Sequence, residues 1–181
     1  MRYASIRSMD ISNGEGVGAA LFVQGCHFHC YSCFNQETWD FDGGKEWTED
    51  IQNQFIKLID HQYISRISFL GGEPLADENV KTVFKIIEEI RSTYPDKKIW
   101  LYTGYVWEYI FRGTSSFISK DSATNFKRRE TIKLCDVVVD GQFIDSQKDM
   151  NLRFKGSSNQ RVIDVQESIG EHKIILYKQK G

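Results

Sequence analysis

The sequence predicts an α/β fold in which crossover helices connect the strands of a mostly parallel sheet. Short apolar segments alternate along the chain with segments of helical periodicity, which is typical of successive strand–helix units. The chain has 181 residues without an internal repeat or a break in composition, so we expect one domain over residues 1–181. About four strand–helix units are too few to close an eight-stranded barrel, which predicts a partial (β/α) barrel.

Two predicted strands precede a polar loop and a helix. Residues 3–11 alternate apolar and polar side chains, as a half-buried strand does. Turn residues at 13–18 lead into AALFVQ (19–24), which is apolar enough for a buried strand. Thr48 is a suitable N-cap for a helix whose first turn is acidic. The apolar positions of this helix share one face: Ile51, Phe55, Leu58 and Ile59.

Two further strand–helix units follow. ISRISFL (64–70) is a predicted strand that ends at the sequence GGEP, and we expect Asp77 to cap the next helix. KKIWLYT (97–103) is the next predicted strand, and a short helix follows it at 106–111. The buried face of the helix after Asp77 is predicted to contain Val80, Val83, Phe84, Ile87 and Ile90.

The last third of the chain continues the alternation. We expect a loop at 113–125, a helix at 126–134 and a fourth parallel strand at 135–141. Two late strands are predicted at 161–168 and 173–178. The basic run at 127–129 is interpreted as a solvated face of its helix.

Composition and charge exclude several classes of function. A net charge of −2 and a pI near 6.1 provide no electrostatic attraction to nucleic acid. The apolar segments are far too short to cross a membrane, and the N-terminus lacks the apolar segment of a secretory signal. We therefore expect a cytoplasmic protein, in which thiols stay reduced and cysteines are better interpreted as metal ligands than as disulfides.

Each unusual motif follows directly after a predicted strand. GCHFHCYSC follows AALFVQ, GGEP follows ISFL, TGY follows IWLY, and DGQF follows DVVV. The carboxyl ends of parallel strands lie at one edge of a sheet, where the sites of such folds are found. The sequence therefore predicts one functional site built from all four motifs.

Three of the four cysteines lie in the first motif, with the spacing C-x3-C-x2-C. A closed zinc site needs four ligands, so His27 or His29 would have to complete one here. A 4Fe–4S cluster held by three thiolates instead leaves one iron open to another ligand. Cys135 opens a buried strand and is predicted to be a core residue.

The cysteine spacing, with GGEP one strand–helix unit later, resembles the radical S-adenosylmethionine (SAM) superfamily. The resemblance implies a radical SAM type of partial barrel in which Cys26, Cys30 and Cys33 bind a 4Fe–4S cluster. It also implies that SAM occupies the fourth iron and that Gly71, Gly72, Glu73 and Pro74 bind the SAM amino group. Glycine allows the close backbone approach that such a contact needs.

Further motifs resemble those of the activating proteins of anaerobic (class III) ribonucleotide reductase. They are LFVQGCxxxCxxCxN, GGEPL, LYTGY, VVDGQF and LRFKGSSNQRVID, and they extend from about residue 14 to 164. This resemblance implies an oxidoreductase in which a reduced cluster cleaves SAM to a 5′-deoxyadenosyl radical. That radical takes a hydrogen atom from a glycine in the large subunit of the reductase, and the glycyl radical remains there.

The same resemblance implies the remaining site residues and partners. Ser32 stands where the superfamily often has an aromatic residue, so adenine would contact backbone from Ser32 to Phe34, and Thr103 would line the SAM pocket. No side-chain acid or base is implied as a catalytic residue. A one-electron donor such as flavodoxin and a homodimer are implied as partners.

Three alternatives remain open from the sequence. Another radical SAM enzyme, such as a different glycyl radical activase or a 7-carboxy-7-deazaguanine synthase, would share the cluster motif but should lack the GSSNQR segment at 156–161. A structural zinc-binding interaction domain would bind no cluster. An iron–sulfur electron carrier would normally supply four protein ligands.

Overall fold

A computed structural model describes residues 1–112 and 122–179, which form a mixed α/β structure around one sheet of eight strands. The strands and helices are, in chain order, β1 (Arg2–Asp10), β2 (Gly18–Val23), β3 (Lys45–Glu46), α1 (Glu49–Ile59), β4 (Arg66–Gly71), α2 (Val80–Thr93), β5 (Lys98–Tyr102), α3 (Trp107–Arg112), α4 (Ser122–Lys133), β6 (Val137–Asp140), β7 (Arg161–Asp164), α5 (Val165–Gly170) and β8 (Ile175–Leu176).

The sheet is parallel only in its middle. The strand order is β3-β1-β2-β4-β5-β6-β7-β8, and the pairings from β2 through β4 and β5 to β6 are parallel. The strands on either side pair antiparallel, so the prediction of a mostly parallel sheet holds for the four central strands alone. Within these strands Val23 lies beside Gly71, and Leu101 lies beside Val138, so the predicted motifs leave the sheet at neighbouring positions.

One face of the sheet packs against the helices and forms the main core. Alternate residues of the strands point to this face, and the helices contribute the apolar stripes that their periodicity predicts. The Thr48 hydroxyl accepts the backbone N–H of Ile51 at 3.3 Å, as expected of the N-cap of α1. The opposite face contains two smaller apolar groups: Ala20, Phe22 and Leu70, and Trp100, Val137, Val139 and Val162.

The prediction that Asp77 caps the second long helix is wrong. Helix α2 begins at Val80 with Asn79 at its N-cap, and Asp77 instead pairs with Arg128. The sequence alone does not show whether an acidic residue near a helix start will cap that helix or pair with a distant basic side chain. Phe84 is only partly buried, beneath the Lys127 ammonium at 3.6 Å from the ring centre.

The C-terminal predictions are partly wrong. Residues 165–170 form helix α5 because Asp164 caps it by accepting the backbone N–H of Glu167 at 2.9 Å. The last strand, β8, has two residues. Helix α4 begins at Ser122, so the predicted loop at 113–125 is helical at its end, while 113–121 lies outside the described residues.

A buried arginine anchors the turn between β1 and β2. Arg66 is 1% exposed and forms an ion pair with Asp10 at 3.0 Å. The same guanidinium donates to the carbonyl oxygens of Asn13 and Glu15 at 2.6 and 3.2 Å. This one side chain therefore binds both a buried carboxylate and much of the turn backbone, and the Asn13 backbone N–H and side-chain amide also donate to that carboxylate at 2.9 and 2.7 Å.

None of the helices in the described part of the chain combines the length and the apolar character needed to cross a bilayer.

Candidate functional site

A cavity of about 500 Å³ lies at the carboxyl ends of the four parallel strands. All four motifs contribute to its walls, as predicted: the three clustered cysteines after β2, Gly71 to Glu73 after β4, Thr103 and Gly104 after β5, and Gly141 to Phe143 after β6. The parallel strands bring together segments that are far apart in sequence. The four motifs therefore meet around one cavity at the predicted edge of the sheet.

Backbone hydrogen bonds close the base of the cysteine loop. The backbone N–H of Gly25 donates to the Thr38 carbonyl at 2.8 Å, and that of Cys26 donates to the Trp39 carbonyl at 3.0 Å. The Gln24 amide donates to the carbonyls of Glu37 and Asp40 at 3.1 and 2.8 Å. These bonds bring the two ends of the loop together and hold its cysteines over the strand ends.

Cys26, Cys30 and Cys33 are half-buried and all line the cavity. Burial, aided by the negative charge of Glu73, raises the pKa of the Cys26 thiol to about 12, and burial also raises the pKa of Cys30. Bound iron would favour the thiolates that burial disfavours. Cys135 is fully buried in the main core, as predicted, away from this cavity.

The described residues contain no group of three or more His, Cys, Asp or Glu side chains arranged to hold a single metal ion. A single zinc ion bound by three thiolates would need their sulfurs roughly 3.8 Å apart, because of the Zn–S distance and tetrahedral geometry. The three cysteines do not form such a group. His27 and His29 do not join the cysteines. His27 pairs with Glu78 at 3.0 Å, and His29 stacks on Trp39 with ring centres 4.7 Å apart.

The glycines after β4 allow two backbone segments to approach closely. Gly71 has a φ of 101°, which favours glycine. The backbone N–H of Gly72 donates to the Val23 carbonyl at 2.9 Å, and that of Glu73 donates to the Gly25 carbonyl at 2.7 Å. A Cβ atom on Gly72 would collide with the carbonyl oxygen of Gly25. The cysteine loop and the GGEP turn are therefore joined at their bases.

We expect Gly72→Ala to destabilise the protein by about 1–3 kcal/mol, because the added methyl group would meet backbone that cannot move aside independently. Chemical denaturation measures the effect. Gly170→Ala is the matched control, because nothing lies within 4 Å of a Cβ atom there. Alanine in helix α5 should raise stability by up to about 1 kcal/mol. Equal stability of the two variants would contradict the close approach.

The Glu73 carboxylate is 2% exposed and accepts hydrogen bonds from three neighbours. The donors are the Leu75 backbone N–H, the Thr103 hydroxyl and the Gly104 backbone N–H, each at 2.8 Å. Burial raises the pKa of this carboxyl to about 7, although these donors oppose the shift. Glu73 therefore connects the end of β4 to the end of β5.

Sequence reasoning missed two buried side chains that support the GGEP turn. The Asn79 amide donates to the carbonyls of Gln24 and Glu73 at 2.9 and 3.0 Å. Arg128 is 1% exposed and donates to the Leu75 carbonyl at 2.8 Å, which corrects the interpretation of 127–129 as a solvated face. The run of three basic residues gave no signal that its middle member points inward.

The remaining predicted site residues lie in different surroundings. Phe34 and Thr103 line the cavity, whereas Ser32 and Pro74 are not among its lining residues. Ser32 has a φ of 58°, in the left-handed region, and so shapes the loop between the second and third cysteines. Pro74 is buried in the turn that leaves the strand. Tyr102, which the sequence placed at the rim of the site, also lines the cavity, as do Phe28 and Phe143, to which the sequence assigned no role.

Two residues that line the cavity each contain a buried polar atom without a protein partner. The indole nitrogen of Trp39 and the hydroxyl of Tyr102 are buried without a hydrogen bond among the described residues. Buried polar groups nearly always have a partner, so these two atoms are exceptions among the residues around the cavity. The three thiols and the glycine-rich strand ends fit a sulfur-ligated cluster with a polar organic cofactor beside it.

Comparisons with known proteins agree with this chemistry. A family model described as a 4Fe-4S single cluster domain matches residues 12–163. The chain is similar to the anaerobic ribonucleoside-triphosphate reductase-activating protein of Escherichia coli, with 35% identity over 164 residues that cover 90% of this chain and 97% of that protein. The protein of the same name from Vibrio cholerae is 33% identical over 88% of this chain and 96% of its own length. That of Enterobacteria phage T4 is 29% identical over 95% and 99%. On this similarity, which extends over the site and nearly the whole chain, the protein belongs to the family of anaerobic ribonucleoside-triphosphate reductase-activating proteins.

Proposed function

We propose that this chain is the enzyme that activates anaerobic ribonucleotide reductase, by placing a glycyl radical on the large subunit of its partner. The observation that carries the proposal is the set of three thiols in one cavity whose other walls are the ends of four parallel strands. Three cysteines can hold three irons of a 4Fe–4S cluster and leave the fourth iron without a protein ligand. An open coordination position is what a metal site keeps for a cofactor or substrate.

We assign Cys26, Cys30 and Cys33 to the cluster and the backbone of Gly71 and Gly72 to the SAM amino group. With both cofactors bound, the site would supply the one-electron reductive cleavage of SAM and the removal of a hydrogen atom from a glycine of the reductase. The residues of this chain orient the cofactors and exclude water. No side-chain acid or base is required.

The remaining assignments follow from the cavity wall. We assign the backbone from Ser32 to Phe34 and the Thr103 side of the cavity to the nucleoside part of SAM. The Glu73 carboxylate is buried and already accepts three hydrogen bonds from the protein, so we assign it to holding the ends of β4 and β5 together beneath the ligand rather than to direct capture of SAM. Pro74 fixes the direction of the chain as it leaves the strand.

The family and the sheet support the wider proposal. We propose that the sheet is a partial (β/α) barrel of radical SAM type, that residues 1–181 form a single domain, and that the protein acts in the cytoplasm. A flavodoxin-like carrier would supply the electron, and two copies would form a homodimer. The four parallel strands and the family membership support the partial-barrel proposal most directly.

Anaerobic reconstitution with iron and sulfide, followed by reduction and EPR spectroscopy with and without SAM, tests the proposal. We expect a 4Fe–4S signal that changes shape with SAM, formation of 5′-deoxyadenosine, and a glycyl radical on the reductase subunit. One tightly bound zinc per chain and no cluster would refute the enzyme assignment. 5′-Deoxyadenosine without a radical on the reductase would indicate a different radical SAM enzyme.

A further inference from the structure

Arg128 is a buried cation of α4 that has no role in the function proposed above. Its guanidinium donates to the Leu75 carbonyl at 2.8 Å and pairs with the Asp77 carboxylate, and both groups belong to the segment that leaves the GGEP turn. The same guanidinium donates to the Tyr105 hydroxyl at 3.0 Å and lies over the Tyr105 ring, 4.5 Å from its centre. Arg128 therefore joins the segment after β4 to the segment after β5.

These contacts are part of a closed chain of hydrogen bonds that includes two residues of the cavity wall. The Glu73 carboxylate accepts the Leu75 backbone N–H and the Thr103 hydroxyl, each at 2.8 Å, and both Glu73 and Thr103 line the cavity. The Thr103 oxygen accepts the Tyr105 backbone N–H at 3.1 Å. The chain of bonds returns to its start in the order Glu73, Leu75, Arg128, Tyr105 and Thr103. Arg128 is the member that a helix supplies.

Tyr105 extends this arrangement to the other two motifs of the site. Its ring packs edge-on against Phe28 of the cysteine loop, with centres 4.9 Å apart. Its carbonyl accepts the Gly141 backbone N–H at 3.1 Å. The Phe28 ring also lies so close to Gly104 that a Cβ atom there would be 2.5 Å from it. The guanidinium that binds Tyr105 is therefore one residue removed from the cysteine loop and from the segment after β6.

The chemistry of arginine suits this position. A guanidinium has five N–H donors in one plane. Arg128 uses them on Leu75, Asp77 and Tyr105, and on the Asn125 amide oxygen of its own helix at 2.8 Å. Burial of a charge is costly unless the charge stays paired and hydrogen-bonded. A shift of the GGEP turn away from β5 would unpair the guanidinium, so the buried charge opposes that shift.

We infer that Arg128 is a positioning residue that holds the GGEP turn against the end of β5 and thereby strengthens the binding of SAM. Arg128 is not among the residues that line the cavity, so it acts through the turn and through Tyr105 rather than by contact with a cofactor. The inference rests on the proposed function in one respect, which is that the GGEP turn binds SAM. Side chains that orient the direct contacts of a ligand change its affinity when they are removed.

The test measures the SAM dissociation constant of Arg128→Met. Methionine is apolar and similar in length, so it fills space without binding Leu75, Asp77 or Tyr105. Equilibrium dialysis with labelled SAM, on the oxidised and cluster-loaded protein without oxygen, gives the constant and needs no turnover. We expect roughly tenfold weaker binding at unchanged iron content. Arg129→Met is the matched control and should bind SAM as the wild type does, because it makes the same change at the next position of α4, whose side chain takes no part in these bonds.

Tyr105→Phe is a second and milder variant, and it decides the test if Arg128→Met does not fold or does not retain a cluster. It removes the hydroxyl that Arg128 binds and keeps the aromatic ring against Phe28. We expect about threefold weaker binding of SAM, as the loss of one hydrogen bond predicts. Tyr63→Phe should leave the affinity unchanged, because it alters an exposed tyrosine that stacks on His61.

Unchanged SAM affinity in the folded, cluster-loaded variants would overturn the inference, even if their free energy of unfolding fell, because Arg128 would then contribute to stability alone. Equal losses of affinity in Arg128→Met and Arg129→Met would overturn it as well, because the contacts of the buried guanidinium would then not matter. Failure of the proposed function looks different, because the wild-type protein itself would bind no SAM at a cluster.

Discussion

Replacing any one of Cys26, Cys30 and Cys33 with alanine is expected to abolish the intact 4Fe–4S cluster and reduce glycyl radical formation to background. Each sulfur lines the cavity, and no other cysteine of the chain does so. Cys135 is 0% exposed within the main core and cannot replace a lost ligand. Iron and sulfide content per chain, the EPR spectrum of the reduced protein and the radical signal on the reductase measure the loss.

Cys135→Ser is the matched control for this series. It removes the fourth thiol and retains a donor to the Thr131 carbonyl, which the thiol contacts at 3.3 Å. We expect wild-type iron content and radical yield from this variant. A full cluster in a single alanine variant of the loop, with SAM still changing its spectrum, would contradict the assignment of that cysteine.

Replacement of the buried Arg66, the first residue of β4, is expected to cause the largest loss of stability. Arg66→Met would leave the buried Asp10 carboxylate with the exposed Arg7 guanidinium at 3.8 Å as its remaining cation, and removal of one partner of a buried pair costs about 3–5 kcal/mol. The Glu15 carbonyl would also lose the Arg66 donor, and the Asn13 carbonyl would keep the Ser68 hydroxyl at 2.6 Å but lose the guanidinium. Urea unfolding followed by circular dichroism measures the change in the free energy of unfolding.

A surface pair provides the comparison. Lys133 and Glu130 form an ion pair at 2.8 Å on α4, with Lys133 48% exposed. Lys133→Ala should cost about 0.5 kcal/mol or less, because solvent screens exposed pairs. Equal losses for Arg66→Met and Lys133→Ala would show that the Asp10 carboxylate does not depend on Arg66.

Local patterns predicted the elements and the place of the site. The periodicity of 49–59 and the acidic residues after Thr48 were sufficient for α1, because capping and one buried face are local properties. The four motifs meet because parallel strands end at the same edge, so strand prediction alone placed them together. Residues 165–168 were predicted to continue the strand that begins at 161, but the cap at Asp164 starts a helix there instead.

Long-range contacts decided what local patterns could not. Asp77 and Arg128 each had a sensible local interpretation, as a cap and as a solvated residue, and both instead meet one another. Asn79 stands at a helix start yet uses its amide on the cysteine loop and the GGEP turn. A main-chain carbonyl can accept a hydrogen bond whatever the type of its residue. The sequence therefore carries no pattern that pairs Asn79 with Gln24 or Glu73.

The sequence by itself determined which chemical groups the protein offers at the cavity. These are three thiols at C-x3-C-x2-C and a glycine-rich turn, which are properties of residue type and spacing. Only the tertiary structure decided how the surrounding backbone is held. The 156–161 segment binds 140–144 through amides, a hydroxyl and a guanidinium across a connection of eleven residues, 145–155. Such bonds have no period and form only when the sheet brings both segments together, which is why the motif could be identified from the sequence while its physical role could not.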